Sequence, residues 1–154
     1  MFDPVADKLD SDLASRIVWF DAYVTNIDRT ARNANLLMWH RKLWLIDHGA
    51  ALYFHHSWTG MDQRSKDPFA LVKSHILLPF ASELEEIDGP MTSAITEEAI
   101  REIVGLIPDD WLEGDSLFSS TVENRQAYVE YLLKRLEEPR HFLEEAIRAR
   151  AVPV

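Results

Sequence analysis

Four side chains between residues 25 and 52 carry the oxygen atoms that phosphate chemistry requires. Asp28, Asn33 and Asn35 lie in a polar segment, and Asp47 stands two residues before a glycine. Carboxylate and amide oxygens are ligands that Mg²⁺ accepts, and such a site needs neither cysteine nor histidine. Asp28, Asn33 and Asn35 are equally typical of turns in which their side chains bond the nearby backbone, and Asn35 is expected to have that structural role.

The spacing of these residues also fits phosphoryl transfer, and from the residues alone this interpretation and the turn remain equal alternatives. That reaction needs one carboxylate to orient and deprotonate the attacking hydroxyl, and oxygen ligands to hold Mg²⁺ against the phosphates. Kinases supply them from an Asp followed five residues later by Asn, and from an Asp-x-Gly after a short hairpin. Asp28 and Asn33 have the first spacing, and Asp47-His48-Gly49 has the second pattern.

A helix and a hairpin are predicted to position these groups. The helix spans about residues 11–25, with Ser11 and Asp12 as its N-cap and first-turn acid. Two apolar runs at 36–39 and 43–46, separated by residues 40–42, predict two short strands. Leu13, Ile17, Phe20 and Val24 are expected to form the buried face of the helix, and Trp39 and Trp44 to pack the hairpin against the helical body.

The remainder of the chain is predicted to be helical, which makes the fold mainly α, with one small β-hairpin after the polar loop, in a single domain over residues 1–154. The segments 57–66 and 85–93 are expected to be surface loops. The predicted helices run from Asp67-Pro68 to a point before Pro79, from a Thr96 cap to Pro108, over about 121–137, and from Pro139 to about Arg148. Their expected buried positions are Phe69, Val72, Ile76, Ala99, Ile100, Ile103, Val104, Ile107, Val122, Val129, Leu132 and Leu136.

The run NIDRTARNANLLMWHRKLWLIDHGAALYF, residues 26–54, resembles the catalytic segment of bacterial HipA-like kinases and, more distantly, that of phosphatidylinositol 3- and 4-kinases. The resemblance implies a protein-kinase-like C-lobe with ATP and Mg²⁺ as cofactors. It also implies that Asp28 is the catalytic base and that Asn33 and Asp47 are the magnesium ligands. Two positions depart from the family pattern, since Thr30 stands where relatives commonly have His, and His48 where many kinases have Phe.

The sequence before Asp28 lacks the elements with which a kinase holds its nucleotide. A glycine-rich loop and a strand-borne lysine normally precede the catalytic loop. Here no glycine precedes Asp28 and Lys8 is the only lysine before it. The chain therefore looks like a C-lobe without its N-lobe, either as a truncated sequence, which is the favoured explanation, or as one part of a split kinase. The missing N-lobe is accordingly its first expected partner.

The charge and composition of the chain exclude several classes of partner and site. The net charge is −10, and residues 67–154 hold eighteen acids and eight bases, whereas residues 1–66 hold eight of each. This balance disfavours nucleic-acid binding, which needs clustered Lys and Arg. No signal peptide or membrane span is evident, and the absence of cysteine removes disulfides and thiolate zinc sites, so a cytoplasmic protein is expected.

The arginines and histidines of this region admit simpler interpretations. Arg29 is expected to pair with a carboxylate of the loop, and Arg32 is equally a candidate for phosphate binding or for pairing. His48, His55 and His56 do not complete a zinc pattern and are expected to be hydrogen-bonded histidines.

Two functions compete. The first is the catalytic lobe of a HipA-like kinase that transfers a phosphoryl group to a hydroxyl, by family resemblance of a protein Ser or Thr, and that is inactive as an isolated chain. The second is a non-catalytic interaction module built on the same lobe. In either case the surface that would meet an N-lobe is exposed, which favours homo-oligomers.

Overall fold

The computed structural model describes residues 9–113 and 117–152. Within those residues, seven α-helices and one hairpin form the mainly α fold that the sequence predicts. The helices are α1 (Ser11–Tyr23), α2 (Met61–Arg64), α3 (Leu84–Ala94), α4 (Glu97–Gly105), α5 (Asp109–Leu112), α6 (Thr121–Leu136) and α7 (His141–Ala151), the strands are β1 (Leu36–Trp39) and β2 (Lys42–Leu45), and short 3-10 turns cover Tyr53–His56, Ala70–Ser74 and Leu78–Phe80.

Helix α1 is the central element and is enclosed on most of its sides by α3, α7 and the turn at Leu78–Phe80. Its cap is Asp10, whose side chain accepts from the Asp12 amide at 2.8 Å, so the prediction of Ser11 as N-cap was wrong by one residue. The predicted face is correct for Ile17 and Val24, but Leu13 is 39% exposed. A helix surrounded by neighbours buries more than one stripe, and the additional buried apolar residues are Ala14, Val18, Trp19, Ala22 and Tyr23.

The hairpin is confirmed, with β2 beginning one residue earlier than predicted. Its two-residue turn consists of His40 and Arg41, which have φ values of 48° and 63°. Positive φ at both positions is the geometry of the tight turns that match the twist of paired strands. The hairpin therefore returns the chain that follows β2, which includes Asp47 and Tyr53–His56, toward the loop that precedes β1.

The two hairpin tryptophans do not pack against the helical body, contrary to the prediction. Trp39 is 58% exposed and Trp44 is 52% exposed. Cross-strand partners share a face, and Leu37 pairs with Trp44 while Trp39 pairs with Lys42. The opposite face carries Leu36, which is buried, so the tryptophans belong to the outer face of the hairpin.

Three segments differ from the predicted elements. The apolar stripe after Asp67-Pro68 forms two 3-10 turns rather than one helix, and the turn at Ala70–Ser74 has no side-chain cap. Residues 85–93, predicted as a loop, lie in α3 despite Pro90, because Leu84 and Ile87 are buried and the helix packs against α1. The predicted loop 57–66 contains the short helix α2.

Helices α4, α6 and α7 lie within about three residues of their predicted bounds, whereas the short helix α5 was not predicted. The Thr96 cap is confirmed by the bond from the Ala99 amide to its hydroxyl at 3.1 Å. Ile100 and Val104 are buried as predicted, but Ile103 is 66% exposed, so the buried stripe is narrower than predicted. In α6, Val129, Leu132 and Leu136 meet the core, whereas Val122 is exposed.

Within the described residues, no helix is long and apolar enough to cross a bilayer.

Candidate active site

Two backbone hydrogen bonds bring the segment after the hairpin beside the segment before it. The Leu52 amide donates to the Val24 carbonyl at 2.6 Å, and the Ile27 amide donates to the Ala50 carbonyl at 3.4 Å. Asp28 and Asp47 stand at the ends of these paired segments. The hairpin therefore performs the return that the sequence spacing required.

Asp28 is the centre of the polar cluster. Its Oδ2 accepts a hydrogen bond from Asn33 Nδ2 at 2.7 Å and another from Asn35 Nδ2 at 3.3 Å. Asn35 Nδ2 also lies 3.4 Å from the carbonyl oxygen of Asp47. The structure thus brings together all four of these residues. The side-chain amide of Asn35 links the carboxylate of Asp28 to the backbone carbonyl of Asp47.

The loop between Asp28 and Asn33 is closed by reciprocal hydrogen bonds. The Thr30 amide donates to the Asn33 carbonyl at 2.9 Å, and the Asn33 amide donates to the Thr30 carbonyl at 3.1 Å and approaches the Thr30 hydroxyl at 3.3 Å. These bonds hold the backbone between Thr30 and Asn33 in a closed turn. The Asn33 side chain therefore folds back onto the carboxylate of Asp28.

The oxygens left over by these bonds face outward. Because Asn33 donates through Nδ2, its Oδ1 remains available, and Asp47 uses Oδ1 only for the Gly49 amide at 3.4 Å. Asn33 and Asp47 are exposed and Asp28 is half-buried. An exposed amide oxygen before the hairpin and an exposed carboxylate after it are the kinds of donor that Mg²⁺ accepts, and Mg²⁺ keeps several water ligands. Arg32, the even candidate for phosphate binding, is also exposed and makes no ion pair with the described residues.

Below this cluster lies a buried polar group centred on Asp21 of α1. The Asp21 carboxylate is fully buried and forms an ion pair with Arg29, whose side chain is also fully buried. It accepts further bonds from Asn26 Nδ2 and His75 Nε2, both at 2.9 Å. Arg29 therefore pairs with a carboxylate, as expected, but the carboxylate belongs to the helix rather than to the loop.

The protonation of this group follows from its contacts. Burial raises the pKa of Asp21, but the hydrogen bonds from His75 and Arg29 outweigh burial and leave that pKa below its ordinary value. His75 Nδ1 accepts from the Leu77 amide at 3.0 Å, which places the ring proton on Nε2, where it is donated to Asp21.

The buried group holds the loop from beneath. Asn26 Oδ1 accepts from the Asp28 amide at 3.3 Å, and an Arg29 guanidinium nitrogen donates to the Asn35 carbonyl at 2.6 Å. The Ile76 amide donates to the Arg29 carbonyl at 3.1 Å. Asp28, Asn33 and Asn35 are thus attached, within two residues, to a group that is bonded to Asp21. Asp47 is connected to them only through the side-chain amide of Asn35.

Comparison with known families agrees with this geometry. A sequence model described as HipA-like kinase matches residues 4–145, which is most of the chain and includes every residue of the outer and buried groups. The chain belongs to the HipA-like kinase family. Searches of curated proteins and of solved structures gave no significant match.

The two departures from the HipA-like kinase pattern have visible consequences. Thr30 braces the loop through its own amide, carbonyl and hydroxyl, as described above. His48 is exposed and lies at the edge of an apolar cavity of about 430 Å³ between α1, α4 and α6. The segment after Asp47 is therefore not held by an aromatic anchor at this position, and the buried residue nearest along the chain is Phe54.

The remaining histidines of this region are engaged in ordinary contacts. His55 Nδ1 lies 3.0 Å from the Tyr128 hydroxyl, and its ring meets that of His56 edge to face. Burial lowers the pKa of His55, and the neighbouring His56 adds to this effect. In the part of the chain that the structure describes, no group of three or more His, Cys, Asp or Glu side chains could hold a metal ion.

The sequence interpretation missed Asp21 and His75. Asp21 carried a signal, since it is an acid within the apolar stretch Trp19–Val24 of a helix, a place where a charged residue is rarely found unless it is paired. His75 carried no such signal, because only the folded chain shows that residues 54 positions apart meet.

Asn35 offers a test of the link between the two aspartates. Its φ of 47° is left-handed, so Asn35→Gly keeps the backbone geometry while removing the amide. In a phosphorylation-competent protein we expect Asn35→Gly to lower kcat about 10²-fold through misplacement of Asp47, with little change in urea stability. Asn35→Ala should add a stability loss of about 1 to 2 kcal/mol from backbone strain. Unchanged kcat in the glycine variant would contradict the linking role.

Proposed function

We propose that this chain is the catalytic lobe of a kinase that transfers the γ-phosphoryl group of ATP to a hydroxyl, with a protein Ser or Thr as acceptor. The observation that carries the proposal is that the Asp28 carboxylate accepts from the side chains of Asn33 and Asn35, and that the Asn35 side chain also reaches the backbone carbonyl of Asp47. Membership of the HipA-like kinase family supports the reaction class.

The residues divide the chemistry between them. Asp28, held by two amide donors, would orient the acceptor hydroxyl and take its proton as the oxygen attacks phosphorus. Asn33 Oδ1 and the Asp47 carboxylate would hold Mg²⁺, which when bound neutralises the charge on the phosphates. Arg32 stands next to Asn33 on the exposed side of the loop, where it would reach a phosphate oxygen.

The outer face of the hairpin is a surface on which a nucleotide-binding lobe would dock. Leu37, Trp39, Trp44 and Ile46 lie on this face beside Asp47, and the latter three are at least 43% exposed. Apolar patches of this kind mark interaction surfaces. We propose that an N-lobe, from the same gene or from a separate chain, covers the face and supplies the glycine-rich loop and lysine, and that without it copies of this chain associate there.

A non-catalytic interaction module is the second candidate, favoured by the exposed hairpin face. The neighbouring coding sequence separates the two functions, because an upstream glycine-rich segment with a lysine favours the enzyme. Its absence, with no separate chain that restores phosphoryl transfer from labelled ATP, favours the module.

Nucleotide binding by the chain alone provides a direct measurement. We expect titration of the 154-residue chain with Mg-ATP to show weak or undetectable binding, because the sequence before Asp28 contains no glycine and only one lysine, Lys8. Isothermal titration calorimetry, with Mg-AMP as the control ligand, would measure it. Micromolar affinity of this chain for Mg-ATP would contradict the need for an N-lobe.

The docking face is tested by a double variant. Trp39→Ser with Trp44→Ser is expected to change the free energy of unfolding by less than about 1 kcal/mol, since both side chains are more than half exposed. The same variant should lose concentration-dependent self-association in sedimentation velocity and should bind an added N-lobe more weakly. Trp111→Ser, a change at the most exposed tryptophan, is the matched control. Equal association of variant and parent would exclude the hairpin face.

A further inference from the structure

A basic cleft lies on the side of the molecule formed by α7 and the 3-10 turns of residues 70–80. It has a volume of about 740 Å³. Its charged lining residues are Lys73, Arg148 and Arg150, and His75 forms part of its wall. No carboxylate is among its lining residues in the described part of the chain. The cleft therefore has a charge opposite to that of the acidic half of the chain in which it lies.

The cations of this half show why the cleft is unusual. Residues 67–154 contain eight bases and eighteen acids, and five of the eight bases form ion pairs with carboxylates. Arg135 instead donates to buried carbonyls. Among the described residues, Lys73 and Arg150 alone of these eight make no hydrogen bond or ion pair, and both line the cleft. The ion pairs of the others are Arg101–Glu97, Arg125–Asp109, Lys134–Asp62, Arg140–Asp88 and Arg148–Glu145.

Glu145 orients the third cation of the cleft. Its carboxylate accepts from Arg148 Nε at 2.8 Å, and the Arg148 guanidinium and the charge on Lys73 both lower its pKa. One carboxylate beside three cations leaves an excess of positive charge at the cleft. Such an excess matches a phosphate monoester, which carries about −1.5 to −2 charges near neutral pH and three acceptor oxygens.

The other residues that line the cleft favour a phosphorylated peptide over a free phosphate ion. Leu78, Pro79 and Val152 are apolar, and Ser74 adds a hydroxyl. A phosphate group alone would fill only a small part of about 740 Å³, whereas a phosphorylated side chain with its flanking residues would use both the cations and the apolar wall. We propose that this cleft binds a peptide segment bearing phosphoserine or phosphothreonine, with Lys73 and Arg150 as the principal phosphate contacts.

The cleft shares a wall with the support of the candidate active site. His75 lines the cleft, donates to Asp21 and forms an isolated antiparallel bridge with Thr30 of the loop. A ligand in the cleft would therefore touch the same turn that braces Asp28 from beneath. This contact supplies a spectroscopic signature, because amide resonances of Thr30 and His75 should respond to occupancy along with those of Ser74 and Ala149.

The test is a ¹⁵N-amide NMR titration of the full chain with the peptide acetyl-Gly-Ala-phosphoSer-Ala-Gly-amide. Saturable shifts at Ser74, His75 and Ala149 are expected, with no comparable shifts from the unphosphorylated peptide. Lys73→Ala with Arg150→Ala should weaken the affinity roughly tenfold or more. Both side chains are exposed, so this variant should keep its fold. Lys66→Ala with Arg101→Ala removes the same charge elsewhere and should bind as the parent does.

Three outcomes with the peptide, the variants and inorganic phosphate would overturn the proposal. They are the absence of saturable shifts, equal weakening by the Lys66 and Arg101 control pair, and binding of inorganic phosphate as tight as that of the phosphopeptide. A short DNA duplex that causes the same shifts at lower concentration would also overturn it, since the ligand would then be a nucleic acid backbone.

Discussion

Asp28→Asn is expected to abolish measurable phosphoryl transfer in a protein that contains this lobe together with its nucleotide-binding elements. The substitution keeps the shape of the side chain but removes the oxygen charge that accepts the proton of the attacking hydroxyl. It also turns the acceptor of Asn33 and Asn35 into a partial donor. General-base catalysis contributes about 10² to 10⁴-fold, and disorder of the loop would add to that loss. The measurement is the initial rate of transfer from labelled ATP.

Two further variants make this experiment decisive. Asp47→Asn should also abolish transfer, but by weakening the hold on Mg²⁺, so that raised magnesium restores part of its rate and none of that of Asp28→Asn. Asp110→Asn is the matched control, because Asp110 is exposed on α5. Its rate should equal that of the parent. Transfer that survives both site substitutions would refute the kinase assignment of these residues.

Asp21→Ala is expected to cost about 3 to 5 kcal/mol of stability, which is the range for removal of one partner from a buried ion pair. The change leaves the Arg29 guanidinium fully buried without its carboxylate and removes the acceptor of His75 and Asn26. Urea denaturation followed by circular dichroism would measure the free energy of unfolding.

Asp12→Ala, in the same helix, is the natural control. The pair that Asp12 makes with Arg16 lies at the surface, with both side chains about 40% exposed, so only a small change is expected. If Asp21→Ala unfolds no more easily than Asp12→Ala, the buried group does not stabilise the fold.

The pH dependence of stability provides a second test of the buried group around Asp21. The pKa of Asp21 in the folded chain lies below its ordinary value of 3.8. Its contribution to stability is therefore complete above the ordinary pKa and is lost as the pH falls through the lower folded value. The difference in stability between the parent and Asp21→Ala should shrink below about pH 4. A difference that stays constant down to pH 2 would mean that protonation of Asp21 is not linked to unfolding.

Local signals predicted the elements that depend on neighbouring residues. The Thr96 cap, the end of α4 before Pro108 and the hairpin with its polar loop were all recognisable, because capping, proline placement and strand periodicity act within a few residues. Where the prediction failed, distant contacts had overridden local preference. Residues 85–93 are helical because Leu84 and Ile87 pack against α1, and the stripe at Phe69 and Val72 is buried by two 3-10 turns without a regular helix.

The candidate site likewise has features that the sequence shows and features that arise only on folding. The available oxygens could be recognised from chain order alone, since the offset between Asp28 and Asn33 and the Asp-x-Gly after the hairpin survive in the folded geometry. The groups that support these oxygens come together only in the packed fold. A fully buried carboxylate needs partners to offset its desolvation, and Asp21 finds these in Arg29 and in His75, which is 54 residues away. Contacts between residues so distant along the chain exist only once the helices have packed, so no local pattern could have shown them.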